Sequence, residues 1–132
     1  MPLITILVED SQVIRESLIA AMSELVATEI VAIAETADEA IAALQAQGEA
    51  WQLAVVDLQL RQGTGLAVLR AFRDRPRHQH MIVLTNYATA GIRQRCAEAG
   101  ADAVFDKSTE VEAFFDLCAL YLAQAEGDPR AD

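Results

Sequence analysis

A chain of 132 residues and 14.3 kDa has the length of one ordinary domain. With 53% hydrophobic and 23% charged residues it is expected to be a packed globule and not a disordered chain. Lys plus Arg number 10 and Asp plus Glu 20, so the net charge is −10, and an acidic surface argues against direct nucleic-acid binding.

The chain alternates short β-rich runs with amphipathic stretches. Leu3–Val8 is a continuous apolar run with β-branched residues, as a strand covered on both faces requires, and it stops at Glu9-Asp10. From Ser11 the period changes: Ile14, Leu18, Ala21, Met22 and Leu25 predict one buried helix face. Ile30–Ala34 reads as a second strand. Thr36 and Glu39 form the capping pair of a helix that buries Ala37, Ala40, Ile41 and Leu44 and stops at Gly48.

Leu53–Val56 is the third strand and stops at Asp57. A loop with Gly63 and Gly65 leads to a helix carrying Leu66, Leu69 and Phe72, which ends before Pro76. Met81–Leu84 is the fourth strand and stops at Thr85. The next helix turns Ile92, Cys96 and Ala99 inward and ends at Gly100. Ala103–Phe105 is a short fifth strand ahead of Lys107. A last helix starts near Ser108-Thr109 and buries Val111, Phe114, Phe115, Cys118, Tyr121 and Leu122. Residues 1–125 are thus expected to form one domain and 126–132 a polar tail. Successive βα units with short connections predict an α/β fold, a doubly wound parallel sheet of five strands.

No apolar run approaches the roughly 20 residues of a membrane helix, and Met1–Thr5 lacks the basic start of a secretory signal. Neither a membrane nor a secreted setting is expected. Cys96 and Cys118 match no metal spacing and fall on apolar helix positions, so they read as buried reduced thiols of a cytoplasmic protein. His78 and His80, beside Pro76, read as a solvated loop.

In open α/β sheets ligands sit beyond the carboxyl ends of the strands. This sequence places Glu9, Asp10, Asp57, Thr85 and Lys107 there. Carboxylates about 4 Å apart repel by roughly 4 kcal/mol per pair at an effective dielectric near 20. Converging carboxylates therefore call for cations. Lys107 is one, and a hard, oxygen-seeking divalent ion is the natural other. The rim has no His or Cys for zinc or copper, and no glycine-rich phosphate cradle follows the first strand. An aspartate nucleophile, a metal, a hydroxyl and an ammonium suffice to move a phosphoryl group.

Ile6–Ser11, Val55–Leu60 with Gly65 beyond it, Val83–Asn86, and Gly100–Asp102 leading to Phe105-Asp106-Lys107 resemble the response-regulator receiver domain of bacterial two-component signalling. The resemblance covers nearly the whole chain. It implies a flavodoxin-like (βα)5 fold with strand order 2-1-3-4-5. It implies Asp57 as phosphoacceptor, and a Mg²⁺ site (Mn²⁺ being the alternative ion) from Glu9, Asp10, Asp57 and the Gln59 backbone carbonyl. Thr85 would be the switch hydroxyl and Lys107 the phosphoryl contact. The implied partners are a histidine kinase or histidine phosphotransfer protein, and a downstream protein on the face of helix 4, strand 5 and helix 5. That face would run from Thr89 to Gln124 and expose Arg93, Arg95 and Glu112. A monomer or weak homodimer is expected, and no turnover enzyme.

The sequence differs from the family pattern in four ways. Val104 stands where an aromatic residue is usual. Phe105 faces the other side of the strand, so no Thr85-to-aromatic relay is implied. Arg61 replaces a proline and adds a donor near the site. Asn86 replaces a small residue and narrows access to Asp57. Gln59 and Tyr87 occupy the positions that tune acyl-phosphate lifetime. The residues past Leu120 are too few for a DNA-binding or catalytic module, so a complete chain would signal by protein contact. A receiver-like module that ignores phosphate is the alternative reading. An aspartate-nucleophile phosphatase of the haloacid dehalogenase type is disfavoured, because it needs an aspartate where Gln59 stands.

Overall fold

The computed structural model describes residues 1–127. The strands are β1 (Leu3–Val8), β2 (Thr28–Ala34), β3 (Leu53–Val56), β4 (His80–Thr85) and β5 (Ala103–Asp106). The helices are α1 (Gln12–Leu25), α2 (Ala37–Gln47), α3 (Gly65–Ala71), α4 (Ala90–Ala99) and α5 (Val111–Glu126). All strand pairs are parallel, in the order β2-β1-β3-β4-β5. This is the expected doubly wound sheet. Two cores flank it: Val8, Val56, Val83, Leu44, Val68 and Cys96 pack on the α2–α3–α4 side, and Leu7, Val55, Ile82, Met22, Phe114 and Cys118 on the α1–α5 side. Both cysteines are free and buried, and burial pushes the Cys118 thiol up to about 12.

Helix starts follow side-chain chemistry. Ser11, Thr36, Thr64 and Thr89 each accept a backbone N–H of the first turn of α1, α2, α3 and α4. The Glu39 carboxylate reaches back to the Glu35 N–H at 3.0 Å. Helix α5 begins at Val111, later than the Ser108-Thr109 start expected from sequence. The Asp106 carboxylate accepts the N–H groups of Ser108 (2.7 Å) and Thr109 (3.1 Å), and this turn delays the helix. At its far end α5 includes Glu126, so the expected tail begins later; residues 128–132 of that tail lie outside the described residues.

Other expectations are corrected. Strand β2 starts at Thr28 and not Ile30, and β5 includes Asp106. Leu25, expected inward, is 62% exposed, because α1 turns Leu18 and Met22 onto the sheet at its last turns. His80 is the first residue of β4 and not part of a solvated loop. Its ring stacks on Tyr121 at 3.7 Å, and burial lowers its affinity for a proton. A histidine with a depressed folded value stays neutral while the unfolded chain protonates. Stability is therefore full above about pH 6.5 and falls as the pH drops below it. In urea titrations from about pH 7 to 5, His80→Phe, which keeps the stack, is expected to flatten this slope; an unchanged slope would refute the assignment.

Candidate functional site

Strands β1, β3, β4 and β5 end together, and each delivers a polar side chain at or just beyond its carboxyl end. Val8 pairs with Val56 and Val56 with Val83, so Glu9 and Asp57 follow neighbouring residues of adjacent strands. Thr85 pairs with Asp106 and sets Lys107 one residue beyond. Glu9, Asp57 and Thr85 are buried to 2%, 8% and 1% exposure, which no apolar core tolerates without partners.

The partners converge. The Lys107 ammonium donates to Glu9 Oε1 at 2.6 Å and to Asp57 Oδ2 at 3.0 Å. Burial alone would lower the lysine, but its hydrogen bonds to Glu9 and Asp57 outweigh that, and its proton is held more tightly than usual. Lys107 is also the only lysine in the chain. One carboxylate oxygen from each of Glu9, Asp10 and Asp57 lies within 4.8 Å of the others. Lys107 takes one oxygen each of Glu9 and Asp57. The second Asp57 oxygen and the less buried Asp10 are left to serve a cation. An all-oxygen donor set of this kind fits a hard divalent ion.

Thr85 Oγ1 accepts the Tyr87 N–H at 3.2 Å. Its own proton remains available to donate. Gln59 is exposed and bridges to Thr64 across the loop that opens α3. Tyr87 is 56% exposed beside the site. Asn86 is exposed and lines an apolar groove of about 380 Å³ between α1 and α5, with Lys107 and Phe115. The Arg61 guanidinium lies 4.0 Å from Glu35 and 3.9 Å from Glu39. Val104 packs on the α2–α3–α4 side and Phe105 on the other, 6.1 Å from Phe114. The two neighbours therefore face opposite ways, as strand geometry requires.

Two arginines escaped the sequence reading of the site. Arg15 Nη1 donates to the Glu9 backbone carbonyl at 3.0 Å and to Glu35 Oε2 at 2.8 Å, bracing the acidic pair from α1. Its place four residues after the Ser11 cap was the available signal. Arg93, expected to be exposed, is only half-exposed, because its guanidinium is turned onto Ala88, Val104 and Glu110. Arg95 and Glu112 are exposed as expected.

A family model described as "Response regulator receiver domain" matches residues 5–118. The chain is 32% identical over 97 residues to the photosynthetic apparatus regulatory protein RegA of Rhodobacter capsulatus; this covers 74% of the chain and 50% of the relative, so the chain spans about half that protein's length. In fold it is similar to the signal receiver domain of a putative Luxo repressor protein from Vibrio parahaemolyticus, with a TM-score of 0.79, 21% identity, and coverage of 96% of this chain and 94% of that one. It is also similar to a structure described as a CheX-CheY-BeF3-Mg+2 complex from Borrelia burgdorferi (TM-score 0.73, 14% identity, covering 89% and 90%).

Proposed function

The chain belongs to the response regulator receiver domain family, signalling domains of two-component systems, and we propose that it takes a phosphoryl group from a phosphohistidine onto Asp57 and signals through protein contacts. The observation that carries this reading is the buried Lys107 ammonium bridging Glu9 and Asp57, with Asp10 beside them.

The chemistry follows from the side chains. Lys107 orients the Asp57 carboxylate; one carboxylate oxygen is left to the cation, and its fellow is the nucleophile. That oxygen forms a bond to phosphorus while the P–N bond to the donor's imidazolium, protonated on its other ring nitrogen, breaks, and the electron pair returns to nitrogen to leave a neutral histidine. Lys107 then faces the phosphoryl oxygens as well as the carboxylate, and the Thr85 hydroxyl donates its free proton to one of them. These groups are in place before reaction, which is the electrostatic advantage of a preorganised site. A Mg²⁺ ion (or Mn²⁺) bound by Glu9, Asp10, Asp57 and the Gln59 carbonyl would screen the carboxylates and the phosphoryl oxygens. The beryllofluoride and magnesium named for the Borrelia structure support this reading. Gln59 and Tyr87, exposed at the mouth, would set how readily water reaches the acyl phosphate. Asn86 sits on the α1–α5 side of the mouth.

The chain acts once per phosphoryl group and is no turnover enzyme on an external substrate. Its phosphodonor is a histidine kinase or phosphotransfer protein. Its output is a protein contact on the α4–β5–α5 face, made as a monomer or weak homodimer. Among the described residues no helix is long and apolar enough to cross a membrane, which suits the cytoplasmic location proposed. Acetyl phosphate with Mg²⁺ is expected to place up to one acid-labile phosphoryl group per chain on the wild type and none on Asp57→Asn. Labelling that persists in the variant, or none in the wild type, would refute the proposal.

A further inference from the structure

Arg93 lies in the first turn of α4, yet its guanidinium serves other segments. Nε donates to Ala88 O at 3.0 Å and Nη1 to Val104 O at 2.9 Å, and Nη2 pairs with Glu110. Ala88 belongs to the segment that follows Thr85. Glu110 Oε1 also accepts the Asp106 N–H at 3.0 Å, and the Glu110 N–H returns to Asp106 O at 3.0 Å. Asp106 precedes Lys107, whose own N–H bonds Thr85 O at 3.0 Å. One planar fork therefore ties together the two segments that deliver Thr85 and Lys107.

The start of α5 bears the mark of this arrangement. Each of the other helices has a hydroxyl cap, whereas Glu110 offers α5 no side-chain cap, and its carboxylate goes to Arg93 and the Asp106 N–H. An isolated ion pair of this exposure would contribute little. Three acceptors on three segments, met by the fixed donors of a guanidinium, are a different case. We propose that Arg93, with Glu110, is a positioning residue for the site: it holds the Thr85–Ala88 segment and the Asp106–Thr109 turn in one register. Thr85 and Lys107 then meet the Asp57 phosphoryl group in one geometry. This inference rests on the phosphoacceptor reading of Asp57.

The test is backbone hydrogen exchange on the full chain without any phosphodonor, paired with acetyl phosphate labelling. Arg93→Met is expected to speed exchange of the Tyr87 and Lys107 amides about tenfold relative to amides of β1 and β3. It is also expected to slow Asp57 labelling about tenfold. Glu110→Gln, which keeps an acceptor for Asp106, is the milder variant and should move the same amides. The double variant should fall short of the product of the two effects. Arg93→Lys should restore little, since an ammonium cannot fork. Exchange at Tyr87 and Lys107 that merely follows β1 and β3, or effects that multiply in the double variant, would overturn the proposal. Should the wild type take no label, the phosphoacceptor reading fails, while the exchange data still report whether the clamp exists.

Discussion

Replacing Lys107 with methionine is expected to lower the unfolding free energy by about 3–5 kcal/mol at neutral pH in the absence of divalent cations. The ammonium has a side-chain exposure of 11%, and its partners Glu9 and Asp57 have 3% and 10%. Methionine fills similar space but leaves two buried anions unpaired, with the Asp10 carboxylate also inside 4.8 Å. For a domain of this size each kcal/mol shifts the melting temperature by roughly 3–5 °C, so the fall should reach roughly 10–20 °C. The same charge argument fixes the direction of the metal effect. A Mg²⁺ ion held by the carboxylates of the folded state would stabilise it by mass action. It should restore more stability to the variant than it adds to the wild type, because no ammonium then competes for the carboxylates. Thermal denaturation with chelator and with Mg²⁺ measures both. A variant within about 1 kcal/mol of wild type in chelator would mean that Lys107 is not the counter-charge of the site.

Gly65→Ala is expected to damage the site through space and not through backbone conformation. A Cβ at Gly65 would lie 2.9 Å from Val56 Cγ1 and far inside contact distance of the Asp57 carbonyl oxygen. That atom is backbone and cannot rotate away. Gly65 also opens α3 and donates its N–H to Leu58 O at 3.0 Å, so the helix cannot back off without losing that bond. Overpacking of this kind costs about 1–3 kcal/mol. The larger effect is on chemistry: a displacement of about 1 Å in a reacting group can cost about a hundredfold in rate. Labelling of Asp57 by acetyl phosphate is therefore expected to fall by about that factor in a chain that still folds. Gly91→Ala is the control, since a Cβ there has nothing within 4 Å. Equal labelling rates for the two variants would remove the steric argument.

The strand ends of the site could be read directly from the residues. Leu3–Val8, Leu53–Val56 and Met81–Leu84 are apolar runs that stop at Glu9, Asp57 and Thr85, and a parallel sheet buried on both faces leaves no other place for such stops. The glycine at 65 carried the resemblance, but its reason, the close approach to Asp57, needs coordinates. Arg93 and His80 were misread for a common cause. Their partners lie on other elements: Val104 and Glu110 for Arg93, Tyr121 for His80. Periodicity reports only which way a residue faces along its own element. The α5 start failed for a local reason: Ser108 and Thr109 have cap chemistry, but Asp106 claims their N–H groups first.

The single lysine bears on how the molecule can be handled. Amine-directed chemistry usually spreads over a surface, but here the only side-chain amine is bonded between two carboxylates. Amine-directed labels are therefore expected to spare the folded domain's side chains and to reach Lys107 only when the domain unfolds and its bonds to Glu9 and Asp57 break.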